Sequence, residues 1–454
     1  MSYLNFLVKE LADVKLDCDF WDVRIEDTVE TLISSIQGEI TTCTASPSLG
    51  AFIRVRKSGF WLYQSTTQLN DIKNILKDLQ SSEVPVTHKK FTYRHPKSVP
   101  FISLSATAYK FSDISIDEKS KVILNYSHFV SQQKNVNSVR MSYKDMYKVK
   151  SYFNSVGTQF EYDFNQGGIA FRFTLKEGEN IFEDYQSFYA STFSQLLNKY
   201  DSVKCYIESS QEFISAPAIA PGKYNVLMNS DVAGVFTHES FGHKSEADFM
   251  LGNEDNLTEW KIGKKIASDC LTIADQGNFE NTSGYCPIDD EGIPAQKNYL
   301  IKNGILAGRL HSVETAHVLD EKPTGNGRAM SFEFEPIVRM TSTFIEAGTD
   351  SLDNIIKKSE GAVLVEGYKH GSGLSTFTIA PKRGYIIQKD GSKKPVKLSV
   401  ISGFVNDTLN NIIAVSSNFE LNSGALGGCG KMDQWPLPVA HGGPYILVKD
   451  MQVS

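Results

Sequence analysis

"KYNVLMNSDVAGVFTHESFGHKSEADFM", Lys223 to Met250, carries the reading of this chain. "KYNVLMN" reads as a strand that feeds a helical segment, and that segment spells His-Glu-x-x-x-His from His238 to His243. This is one residue longer than His-Glu-x-x-His, the spacing that sets two imidazoles on one helix face. At ~100° per residue, histidines four apart differ by ~40° and can share a metal, whereas five apart they differ by ~140° and cannot. The longer spelling therefore demands a distorted helix, and a single π-bulge absorbs one residue and restores the common face. Gly242 is expected to ease that distortion because glycine tolerates unusual dihedrals.

Two histidines do not complete a catalytic zinc site, which needs a third protein ligand and an open position. The best candidate is Cys429 in "NSGALGGCGKMDQ", where Gly427, Gly428 and Gly430 let the backbone bring the sulfur close to a partner. Glu239, between the histidines, is placed to act as general base. Glu246 and Asp248 are read as partners that orient a ligand imidazole.

Outward from this stretch the chain divides. The segment "ISAPAIAPGKY" marks a boundary, giving an N-terminal α+β region over residues 1–216 and a zinc-binding catalytic domain over 217–454. The second part, with hairpins at Asn303-Gly304 and Asp390-Gly391, reads as mostly antiparallel β with a metal-binding helix. The first part shows a pattern that occurs twice, in subdomains of about 1–98 and 99–216 that meet near the Pro-containing stretch 95–100. The first half offers a helix, strands at 20–26, 29–37 and 51–65 with a turn at Lys57-Ser58-Gly59, and a helix after Thr67. The second offers a helix from Ser115, further strands, and a closing helix in "EDYQSFYASTFSQLLNKY".

Composition excludes several function classes. The 454 residues are 41% hydrophobic and 22% charged, as in a globular chain with real cores. A net charge of -7 argues against nucleic acid as partner, since phosphate binding rests on clustered Lys and Arg. Short runs such as Lys89-Lys90 and Lys393-Lys394 are read as solvated loop charge. No window approaches the ~20 apolar residues of a membrane span, and the charged N-terminus lacks a signal-peptide core. Six cysteines at uneven intervals, without Cys-x-x-Cys, suit reduced thiols and a cytoplasmic location.

With these residues in view, the chain resembles the TldD/PmbA metallopeptidases, once described as modulators of DNA gyrase. The resemblance rests on "PGKYNVLMNSDVAGVFTHESFGHKSEAD", "DDEGIPAQKNYLIKNGILAGRL", "TAHVLDEKPTGNGRA", "RMTSTFIEAG" and "CGKMDQWPLPVAHGGP". "FWDVRIEDTVETLISSIQGEI" and "GAFIRVRKSGFWLYQST" extend it to the first domain. It implies a TldD-type catalytic member, one zinc on His238, His243 and Cys429, and Glu239 as base. It further implies hydrolysis of small or unfolded peptides by a dimer, either homomeric or with a non-catalytic paralogue. Ser342 departs from the family's usual Asn, and Trp435 and His441 stand in a terminal box that is usually simpler. His441 is read as structural ahead of catalytic, and Arg328 and Arg339 either fix loops or take a peptide carboxylate. The rival reading is a non-catalytic peptide-binding or assembly subunit that keeps its metal.

Overall fold

The computed structural model describes residues 2–85, 95–96, 100–104 and 110–454. Lys89-Lys90 and residues 97–99 of the stretch dividing the two N-terminal halves lie outside the described residues. The chain is a mixed α+β protein. Its N-terminal region runs α1 (Tyr3–Leu11), β1 (Phe20–Ile36), β2 (Glu39–Lys57), β3 (Phe60–Thr66) and α2 (Ile72–Ser81). A short β4 (Phe101–Ser103) precedes a second round: α3 (Ile116–Ser131), β5 (Val136–Asn154), β6 (Gln159–Glu177), β7 (Asn180–Ala190) and α4 (Tyr200–Ser210). Helix, three strands, helix is thus repeated. The two rounds join in one seven-stranded sheet, because β1 pairs antiparallel with β5 from Asp22↔Asn154 to Ile36↔Arg140.

Three local expectations are corrected. The runs 20–26 and 29–37 are a single strand, β1. The polar "TTCTASPS" inside β2 is also strand; it lies at the sheet edge, as β3 pairs only with Ala51–Lys57, and an edge tolerates Pro47. The expected closing helix is split, with residues 180–190 forming β7 on β6 and the helix starting only at Tyr200. Its aromatic residues serve a strand better than their spacing suggested.

Alternation along these strands assigns each sheet face its task. Odd positions such as Val23, Ile25, Met141, Tyr143, Phe171 and Phe173 are buried in cores covered by the helices. Even positions face the C-terminal part. There buried Arg24 and half-buried Lys150 face Asp290, buried Lys148 faces Glu26, and buried Arg54 joins Asp22 to Glu291. Lys150 Nζ lies 2.7 Å from Asp290 Oδ1, and Arg54 Nη2 lies 3.0 Å from Glu291 Oε1.

The C-terminal part holds the largest core. Strand β8 (Gly222–Met228) lies between strands 363–373 and 446–453 in a sheet that closes on itself, because 363–373 also pairs with 376–387. A second, six-stranded sheet contains strands 273–276, 342–345 and 440–443. Helix α5 (Ser230–Thr237) packs between the two and is buried along its length after Asp231. Asn229 caps it by accepting from the Val232 amide. At Gly234 a Cβ would stand 2.7 Å from Gly442 Cα, so this close crossing requires glycine. Among the described residues no helix is long and apolar enough to cross a membrane.

Candidate metal centre

Where α5 ends, the chain does not continue as regular α-helix. Residues His238–Gly242 form a π turn, followed by a tighter turn over His243–Ser245. The extra residue of His-Glu-x-x-x-His is absorbed there, and the two imidazoles come to face one another with ring centroids 5.1 Å apart. The role of Gly242 differs from the expected one. Its φ of -55° and ψ of -52° are ordinary for a helix. Glycine is required for space, since a Cβ would fall 2.1 Å from Met340 Sδ.

Cys429 reaches the same point from a strand, Cys429–Lys431, paired with Gln434–Leu437. One ligand atom each from His238, His243 and Cys429 lies within 4.8 Å of the others. Sγ of Cys429 is 3.5 Å from His243 Nε2. Burial resists ionisation of this thiol, but the two imidazoles beside it outweigh that and hold it down to about 5. The sulfur is therefore poised as a thiolate, the form of cysteine that can bind metal. Arg339 fixes it by donating from Nη2 to the Cys429 carbonyl at 2.7 Å and from Nη1 to the Gln434 carbonyl at 3.3 Å. Arg328 likewise donates to the carbonyls of Met340 and Pro438. Both arginines thus hold backbone.

A layer of buried charge orients His243. Glu246 is fully buried; burial would keep it protonated, yet His243 and Lys431 hold it below the ordinary carboxylate range. An ionised carboxylate only accepts, so His243 donates its Nδ1–H across 3.1 Å. Burial works against charge on this imidazole, yet Cys429 and Glu246 raise it to about 10, so Nε2 donates toward the sulfur until a metal ion displaces that proton. Lys431 bridges Glu246 at 3.0 Å and both Asp248 oxygens at 2.7 Å. On the other imidazole, His238 Nδ1 is buried with no hydrogen-bond partner among the described residues. Two imidazoles, a poised thiolate and one buried nitrogen without a partner form a donor set that suits a tetrahedral, borderline-soft ion such as zinc.

Glu239 projects from the same π turn into a cavity of about 800 Å³ that His238, His243 and Cys429 also line. Tyr368 and His441 form another part of its wall. The Tyr368 hydroxyl is 3.3 Å from His441 Nε2, which is 3.4 Å from Asp231 Oδ1. Burial and then Asp231 push the Tyr368 phenol well above its usual range, so it remains a hydroxyl. Neither Tyr368 nor Asp231 was singled out from the sequence, and no motif signalled them. His441, set aside there as structural, sits in the cavity with its ring centroid 6.3 Å from that of His238. Ser342 is buried at a strand start and does not line this cavity.

Fold and site together bring a candidate metal-binding triad beside a carboxylate at the edge of a half-open cavity. Comparison with known proteins agrees. Residues 221–454 match the PmbA/TldA metallopeptidase C-terminal domain and residues 21–82 match domain 1. The chain belongs to the TldD/PmbA metallopeptidase family. It is 28% identical over 449 residues to a Synechocystis metalloprotease, with 96% of this chain and 95% of that one covered. A metalloprotease TldD homolog of Haemophilus influenzae is 35% identical over 244 residues, covering 53% of this chain and 50% of its own. Among solved structures, a Thermotoga maritima protein described as a modulator of a DNA gyrase superposes with a TM-score of 0.76 at 20% identity, covering 100% of this chain and 98% of its own. TldE from Thermococcus kodakarensis gives 0.74 at 16%, covering 100% and 99%. At such identities these two likenesses speak for the fold.

Proposed function

We propose that this chain is a zinc-dependent peptidase acting on small or unfolded peptides. The observation that carries the reading is the π turn, which sets His238 and His243 against Cys429 and leaves Glu239 facing the cavity beside them. His238, His243 and Cys429 would hold one zinc ion per chain. Bound there, zinc would supply Lewis acidity, polarising a substrate carbonyl and making water a better acid. Glu239 takes the proton released by the attacking water and delivers it to the leaving amine. Tyr368 and His441 are the donors at hand for charge developing on the carbonyl oxygen. A cavity of this size, between a sheet and a glycine-rich loop, suits an extended chain and excludes a folded protein.

The family resemblance supports a dimer, with a second copy or with a non-catalytic paralogue such as a TldE-like chain. Six free thiols, three of them exposed, support a reducing cytoplasmic compartment. The acidic balance speaks against nucleic acid as a partner.

The test is a mass-spectrometric digest of an unstructured peptide pool by zinc-loaded protein, beside Glu239→Gln at equal metal content. Cleavage by the parent alone is expected. Cleavage by both removes Glu239 as base. No cleavage by either, with zinc in both, leaves a peptide-binding or assembly subunit as the reading.

A further inference from the structure

The wall of the cavity that faces the metal centre is the N-terminal sheet, and its register sorts the residues there into cross-strand rows. One row is Arg140 on β5, Arg172 on β6 and Tyr185 on β7; the next is Ser142, Ala170 and Ser187. All six line the same cavity as His238, Glu239 and Cys429. Small side chains in the second row leave a shelf beside the arginine row.

Arg140 and Arg172 are direct cross-strand partners, so two like charges stand with Cβ atoms ~5 Å apart, an arrangement that destabilises a sheet. Neither guanidinium has an ion pair or hydrogen bond among the described residues, and both are exposed. The contrast lies two rows further on, where Lys144 has Glu30 at 3.8 Å. Glu239 is the one carboxylate among the cavity's lining residues. The protein as a whole is acidic, so this uncompensated pair is a local departure from its surface.

Arg172 is also held in place relative to the metal centre. The Arg172 guanidinium lies 5.3 Å from the Tyr185 ring centroid, and Lys382 lies 3.7 Å from that centroid. The Tyr185 hydroxyl donates to the Tyr368 carbonyl at 2.6 Å, and Tyr368 in turn meets His441. At the far end of the shelf, a Cβ on Gly168 would stand 2.9 Å from Ala425 in the loop that leads to Cys429. From Gly168 to Arg172 is four strand residues, ~14 Å, the span of about four residues of an extended peptide.

We infer that Arg140 and Arg172 form a carboxylate-binding subsite, so that this chain takes peptides bearing a carboxylate a few residues from the bond at the metal centre. Two adjacent guanidinium forks match a carboxylate bidentately, and an anion there relieves their mutual repulsion. The carboxylate is either the free C-terminus of a short peptide or an Asp or Glu side chain. This inference rests on the peptidase reading for what happens next, but the binding preference stands on the arginines alone.

The experiment uses short unstructured peptides that differ only in Glu against Gln at one interior position and in a free against an amidated C-terminus. KM and kcat are measured with the zinc-loaded parent and with R140Q/R172Q. Binding of the same peptides, fluorescently labelled, is measured by anisotropy on zinc-loaded Glu239→Gln, with and without the arginine substitutions. The parent is expected to show a KM or dissociation constant about tenfold lower for carboxylate-bearing peptides. In R140Q/R172Q that ratio falls close to one, while R140K/R172K retains part of it, because lysine keeps the charge without the fork. Whether the interior Glu or the free C-terminus carries the preference identifies the source. A preference in binding without cleavage upholds the subsite and sinks the peptidase reading. Equal handling of acid and neutral peptides by the parent, or an undiminished preference in R140Q/R172Q, overturns the inference while leaving cleavage intact.

Discussion

Replacing Gly242 by alanine probes the π turn where it meets the core. An added Cβ would lie 2.1 Å from Met340 Sδ and 3.1 Å from Cε. Contacts of this kind are optimal at ~3.5–4.0 Å, so sulfur and turn must separate by roughly 1.5 Å. Met340 has little freedom to yield. It is fully buried in the main core, its carbonyl accepts from Arg328, and the next amide, of Thr341, donates to Asp275 at 2.9 Å. Overpacking of this type costs ~1–3 kcal/mol, offset by the ~1 kcal/mol that alanine gains over glycine in a helical backbone. The net, up to ~2 kcal/mol, falls on the turn that carries His243. Since ~1.4 kcal/mol is a factor of ten, zinc affinity should fall by up to about thirtyfold. The assay is competition with a chromophoric chelator at fixed pH. Met340→Ala, which removes the obstructing sulfur, should recover most of the loss when combined with Gly242→Ala, a coupling that neither single variant shows. Unchanged affinity in Gly242→Ala, or no recovery in the double variant, would refute the steric argument.

Two further outcomes follow from the buried charges. Glu246→Gln exchanges the carboxylate that fixes the His243 tautomer for an amide, so zinc affinity should fall ~10- to 100-fold in the same competition assay, with secondary structure retained in circular dichroism. Asp290 is fully buried; burial favours its acid form, yet Lys150 and Arg24 hold it well below the usual range. Because its folded pKa is depressed, its contribution is complete above ~4 and is lost as pH falls below that. Asp290→Asn should cost ~3–5 kcal/mol at neutral pH by leaving buried Arg24 and half-buried Lys150 short of counter-charge. Denaturant midpoints read by tryptophan fluorescence should converge for the two proteins as pH drops below ~4; a constant gap would show that the pair is not ionised as described.

The candidate metal centre was legible in the sequence because the proximity of its donors is written in spacing. An offset of five from His238 to His243 leaves room for a shared metal only if the helix widens by one residue, and the helix does so. Cys429 stood out because glycines on both sides allow close approach. The purpose of Gly242 was hidden, since Met340 lies almost a hundred residues away and only tertiary packing brings it near. Tyr368 and Asp231 were invisible for the same reason: each sits in an ordinary strand or helix and acquires meaning through His441. In the N-terminal half the alternating runs gave the strands, but β7 was taken for helix because its aromatics satisfy both periods. The polar half of β2 was missed because an edge strand need not bury either face. Arg140 and Arg172 were not singled out from the sequence, since only the strand register sets them side by side.

The account rests on one three-ligand centre, and metal content tests it most directly. Parent, Cys429→Ser and His243→Gln are dialysed against the same trace zinc and assayed by plasma mass spectrometry. One zinc per chain in the parent and a sharp loss in both variants is the predicted result, because three protein ligands fall to two in each. Equal zinc in parent and Cys429→Ser would contradict it and place the third ligand elsewhere.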